Sequence, residues 1–100
     1  LNPFGKMDQT MHDTPRITLL PEVVSTEVDG ETYLLHVETG VYLRTAGVGA
    51  VIVDLLAEPI GPAQIVARLQ QDYEVTREEA EDAVTAFVGA MRTHGMIADT

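Results

Sequence analysis

Cysteine and tryptophan are missing from this 100-residue chain, and basic side chains are few, with 6 Lys and Arg against 16 Asp and Glu. The missing cysteine excludes disulfide scaffolds, cysteine-ligated zinc, iron–sulfur clusters and thiol nucleophiles, and it allows a reducing, cytoplasmic setting. A net charge of −10 argues against nucleic acid as a partner, because binding there gains its affinity from Lys and Arg set against phosphates. Long apolar runs are also lacking. The longest, Ala46 to Ala57, is broken by Asp54 and falls well short of the ~20 residues that cross a bilayer, so no membrane segment is expected. The polar stretch Leu1–Thr14 has no apolar core of the kind a secretory signal needs.

Catalytic groups are equally sparse. Ser25 is the single serine and lies outside any Gly-x-Ser-x-Gly elbow. His12, His36 and His94 do not share the spacing that sets two imidazoles on one helix face, so no metal site is expected. Gly47-Val48-Gly49 precedes a helical pattern but lacks a third glycine or a Gly-Lys-Ser/Thr, and close packing of helix on sheet accounts for it as well as a phosphate cradle would. The acidic group Glu78, Glu79, Glu81 and Asp82 fits a helix N-terminus better than an acid/base pair, since carboxylates there oppose the positive end of the helix dipole. The expectation is a protein with no catalytic residues and no cofactor.

What is present is an ordered succession of short patterns. Residues 1–16 mix Pro, Gly, Asp and Thr without an apolar period and read as a flexible arm, with Met7 a candidate start and no function drawn from residues 1–6. A single domain is expected over residues 17–100. Strand-like runs cover Glu22–Val28, Glu31–Glu38 and Val41–Thr45, separated by Asp29-Gly30 and Thr39-Gly40. Asp-Gly between such runs is a strong hairpin signal, because a type I′ turn needs positive φ at both central residues. Beyond Thr45 the apolar spacing turns helical: one helix over Gly49–Ala57, a second opened by Gly61-Pro62, and a third from Thr76 to His94 with the Thr76/Glu79 capping box and Gly95 as its C-terminal cap. A three-stranded antiparallel sheet followed by three helices makes a small α+β, winged-helix-like domain. Were it a DNA-binding winged helix, its third helix would carry four carboxylates toward the phosphates, so repulsion opposes that reading.

The sheet edge carries more information. In a meander the third strand has one partner, so Val41–Thr45 leaves a row of backbone groups for an extended peptide to pair with. About four such hydrogen bonds at ~1 kcal/mol each are offset by ordering some five peptide residues at ~1–2 kcal/mol each. The ladder alone does not bind; apolar peptide side chains worth ~1.5–3 kcal/mol each must find a wall beside the strand. Ala83, Phe87 and Ala90, on the flank of the third helix, can form it. A purely structural subunit using the edge to dimerise is the competing use of the same strand.

The residues Leu34-Leu35-His36-Val37-Glu38-Thr39-Gly40-Val41-Tyr42-Leu43-Arg44, continuing through Gly49 to Asp54-Leu55-Leu56, resemble the PqqD-like family. Ile65–Leu69, Tyr73-Glu74-Val75, Glu78-Glu79 and His94-Gly95-Met96-Ile97 extend the likeness to about residues 20–98. Thr45 stands where the family usually has Leu, and Val53 where it often has Trp. Members are RiPP recognition elements, which bind the leader of a ribosomally made precursor peptide against the third strand and third helix. The resemblance implies that Val41, Tyr42, Leu43 and Arg44 supply backbone pairing and part of the wall, while Ala83, Phe87, Ala90 and Met91 line the groove. It is most similar to stand-alone B1 proteins of lasso-peptide pathways, which hand the precursor to a separate B2-type leader peptidase. A chaperone of the pyrroloquinoline quinone (PQQ) pathway and a recognition module for another modified peptide are the alternatives within the family.

Overall fold

The computed structural model describes residues 16–100, and the arm expected over 1–16 lies, apart from Arg16, outside the described residues. The chain runs β1 (Ile17–Leu19), β2 (Val23–Val28), β3 (Glu31–His36), β4 (Tyr42–Ala46), α1 (Val48–Leu55), α2 (Pro62–Asp72), α3 (Arg77–Thr93) and β5 (Ile97–Asp99). The expected three-stranded antiparallel sheet is present in the order β2-β3-β4, followed by the three helices. Asp29 (φ 54) and Gly30 (φ 81) make the first hairpin turn with positive φ at both positions. At the second turn, His36 Nδ1 accepts from the Glu38 and Thr39 backbone N–H groups at 3.2 and 3.3 Å, so strand β3 ends at His36 instead of at Glu38.

Each helix begins and ends on a local chemical signal. Pro62 opens α2, and Gln64 Oε1 accepts from the Gly61 N–H at 2.8 Å. Thr76 and Glu79 exchange hydrogen bonds at the start of α3. Its end is a Schellman turn: Met96 N–H donates to Met91 C=O and Gly95 N–H to Arg92 C=O, with Gly95 at φ 71. Ile52, Val53 and Leu56 from α1 and its end, Ile65, Val66 and Leu69 from α2, and Ala80, Val84 and Met91 from α3 join Leu34 in one core. Burial of these apolar side chains is the main stabilising term.

The two-stranded sheet of β1 and β5 was not among the sequence expectations. It pairs Ile17 with Asp99 and Leu19 with Ile97, and β1 also exchanges two backbone hydrogen bonds with Ile60. Leu19 N–H and Thr18 Oγ1 both donate to the Leu56 carbonyl, at 2.9 and 3.0 Å. This ribbon ties the segment before the sheet to the end of α1 and to the chain beyond α3. It leaves both edges of the three-stranded sheet untouched.

Candidate functional site

The free edge of β4 has a definite phase. His36 N–H donates to Val41 C=O at 2.9 Å, and the register pairs Leu34 with Leu43 and Thr32 with Thr45. In an antiparallel ladder, alternate pairs exchange hydrogen bonds, so Leu43 and Thr45, and Val41 through its carbonyl, turn their backbone groups toward β3. Tyr42, Arg44 and Ala46 turn theirs outward, and among the described residues β4 pairs with no other strand. The expectation that all of Val41–Arg44 offer backbone pairing is therefore corrected: Tyr42 and Arg44 do, whereas the N–H and C=O of Leu43 face β3, and Val41 accepts from His36 through its C=O and donates its N–H to Thr39 Oγ1 in the turn at 3.2 Å.

Side chains alternate the other way. Leu43 and Thr45 are half-buried toward α3; Tyr42 and Arg44 are exposed on the opposite face of the sheet. Two cavities run along α3, one of about 160 Å³ against β4 and one of about 390 Å³ against α1, and they meet at Thr45, Phe87 and Ala90. Ala83 lines the larger, and Leu43 and Met91 the smaller. The structure thus brings Leu43, Ala83, Phe87, Ala90 and Met91 to one groove, with Arg44 at its strand margin. Tyr42 does not join them, because the pleat sends its ring to the outer face, where it stacks on Tyr33 with centroids 6.0 Å apart. Val41 packs against the core and lines neither cavity.

Gly49 explains how α1 fits at the end of this groove. A Cβ there would run into Thr45 Oγ1 and meet the Phe87 ring at 3.0 Å, so only glycine lets α1 lie this close to β4 and α3. On the outer face, Arg44 Nε lies 3.8 Å from Glu31 Oε1, which also accepts the Tyr33 hydroxyl at 3.0 Å. That hydrogen bond, followed by desolvation and the Glu31 charge, raises the Tyr33 phenol above its ordinary pKa.

Residues 31–97 match the family described as Coenzyme PQQ synthesis protein D (PqqD). The chain belongs to the PqqD family. Two solved structures are similar to it. TbiB1 in complex with the TbiA(beta) leader peptide is 32% identical, with a TM-score of 0.74 over 80% of this chain and 93% of that one. A lasso peptide synthetase B1 complexed with the leader peptide is 30% identical, with a TM-score of 0.72 over 82% and 96%. No curated protein matches.

Two positions depart from the PqqD-like pattern, and the structure separates them. Val53 is buried in the core and lines neither groove cavity, so its effect is on packing. Thr45 lines both, where α1, β4 and α3 meet, so its effect is on the groove. Sequence reasoning missed Thr45, Ala86 and Val48 as lining residues. The signals were there for two of them: Thr45 shares the face of Leu43 two residues on, and Ala86 completes the helical series Ala83, Phe87, Ala90. Among the described residues no cluster of His, Asp and Glu is arranged to hold a metal, and no helix is long and apolar enough to cross a membrane.

Proposed function

We propose that this chain captures the leader segment of a ribosomally made precursor peptide as an added strand on β4 and presents it to a separate leader peptidase in lasso-peptide biosynthesis. The observation that carries the reading is the coincidence, on one strand, of outward backbone groups at Tyr42 and Arg44 with an apolar groove centred on Phe87. Both similar structures are B1 proteins with leader peptide, which supports the same assignment. Backbone bonds give the leader its alignment, and Leu43, Ala83, Phe87, Ala90 and Met91 give apolar contact. The chain works by binding and has no chemistry of its own; cleavage belongs to the peptidase, in the cytoplasm where the precursor is translated.

The family description itself favours a second reading, a peptide chaperone of PQQ synthesis. The two readings use the same groove and differ in the peptide. Titration calorimetry with the leader encoded beside this gene, alongside a leader from a PQQ precursor, separates them. A saturable heat with the first and none with the second supports the lasso-peptide assignment. Binding of neither, or amide shifts on binding confined to residues away from β4 and α3, overturns it.

A further inference from the structure

The groove accounts for only half of an added strand. A peptide paired with β4 points alternate side chains into the groove, opposite Leu43 and Thr45, and the others onto the outer face of the sheet, opposite Tyr42 and Arg44. Among the described residues no helix covers that outer face. Val24, Leu35 and Tyr42 form one cross-strand row on it and are 55%, 41% and 58% exposed. Arg44, in the next row with Tyr33 and Thr26, is the sole Lys or Arg that β2, β3 and β4 carry, and the one imidazole among them, His36, is buried on the other face.

We infer that the Tyr42–Arg44 pair on the outer face is a second recognition subsite, which takes an apolar or aromatic leader side chain against Tyr42 and an acidic one against Arg44. The inference rests on the leader-binding reading and adds the half of the leader that the groove does not see. Three features support it. Tyr42 stands at the open edge with its ring steadied by Tyr33, so a neighbouring apolar side chain covers exposed aromatic surface without ordering a loose ring. Arg44 is held on the outer face by Glu31 at 3.8 Å, yet its side chain stays 63% exposed, with donors left for a second carboxylate. In a chain of net charge −10, this lone cation is the local exception that an acidic side chain can seek.

Both existing pairings in the sheet are antiparallel, and the added strand continues that pattern. The peptide residue opposite Arg44 then precedes the one opposite Tyr42 by two positions. The recognised outward pattern is acidic, any residue, apolar, read from N to C, with the residue between them facing the groove opposite Leu43.

A displayed library of random twelve-residue peptides, selected in parallel on the wild-type chain and on Arg44→Glu, tests this. The expected result is an acidic residue two positions before an apolar one in the wild-type pool, replaced by Lys or Arg at that position in the Arg44→Glu pool. Synthetic peptides from each pool should then prefer their own protein by about three- to fivefold, the size of one cross-strand charge pair and its reversal. Circular dichroism confirms that the variant folds, and Arg44→Gln should lose the acidic preference without acquiring a basic one. If both pools share one motif and Phe87→Ala abolishes binding, the outer subsite is overturned while the groove stands. If no peptide is enriched, or binding is indifferent to Phe87→Ala, the leader-binding reading falls and this inference with it.

Discussion

Among the described residues the three-stranded sheet has two edges that no further strand pairs with, and they differ in their surroundings. On β2, Ser25 and Glu27 turn their backbone groups outward, since the Val37 N–H bond to the Glu22 carbonyl places Val24 and Thr26 in the pairs bonded to β3. On β4, Tyr42 and Arg44 do the same. As ladders the two are equivalent, and either could accept a strand. Among the described residues only β4 has α3 beside it, with a cavity of about 160 Å³ between them that meets, at Phe87, one of about 390 Å³ between α1 and α3. Hydrogen bonds at ~1 kcal/mol each do not offset the ordering of an extended peptide. The lesson is that an open edge becomes a binding site through its apolar flank, and the flank here is α3.

The sharpest way to break the comparison is proline on β4. Leu43→Pro removes an N–H bonded to β3 and should disrupt the sheet itself, seen as loss of the cooperative unfolding transition. Arg44→Pro removes an N–H that points outward. It should keep the unfolding midpoint within a few degrees of wild type while calorimetry shows leader affinity reduced by about tenfold or more, as a strand donor is lost and a ring enters the pairing edge. Equal damage to fold and binding from both variants would mean the backbone phase is misassigned.

Next in size is Gly49→Ala. Its Cβ has no room between Thr45 and Phe87, so α1 must shift, and denaturant unfolding should register a loss of about 1–3 kcal/mol. Phe87→Ala should leave the fold intact, because the ring is only half-buried, and weaken leader binding by more than about 1 kcal/mol through the loss of a groove wall. Glu27→Pro is the counterpart of Arg44→Pro on the other edge and should leave leader affinity unchanged. Any loss there would place the leader on β2. The smallest effect is expected from Glu78→Gln, an exposed charge in the first turn of α3: a few tenths of a kcal/mol in stability and no measurable change in leader affinity.

Much of the fold was legible because its signals are local. Asp29-Gly30, Pro62, the Thr76/Glu79 box and Gly95 each act within four or five residues, so the turn and the helix ends follow from neighbouring chemistry. The ribbon of β1 and β5 was not legible. Three-residue strands carry no usable alternation, and Ile17 and Asp99 meet only because the helices between them fold back. Within the site, the apolar flank of α3 followed from helical spacing. The division of labour on β4 did not, since the alternation of side chains was plain but the face given to each set was not.

By itself, then, the order of residues determined the three-strand meander and the three helices, their caps and turns, the absence of thiol chemistry and the acidic surface, all of which depend on composition or on contacts close in the chain. Tertiary structure alone decided which strand edge gained a helical wall, that Thr45 lines the groove while Val53 fills the core, and that Tyr42 faces away from the helices. These depend on which distant surfaces pack together, and packing is settled by the shape of the whole core and not by any one segment.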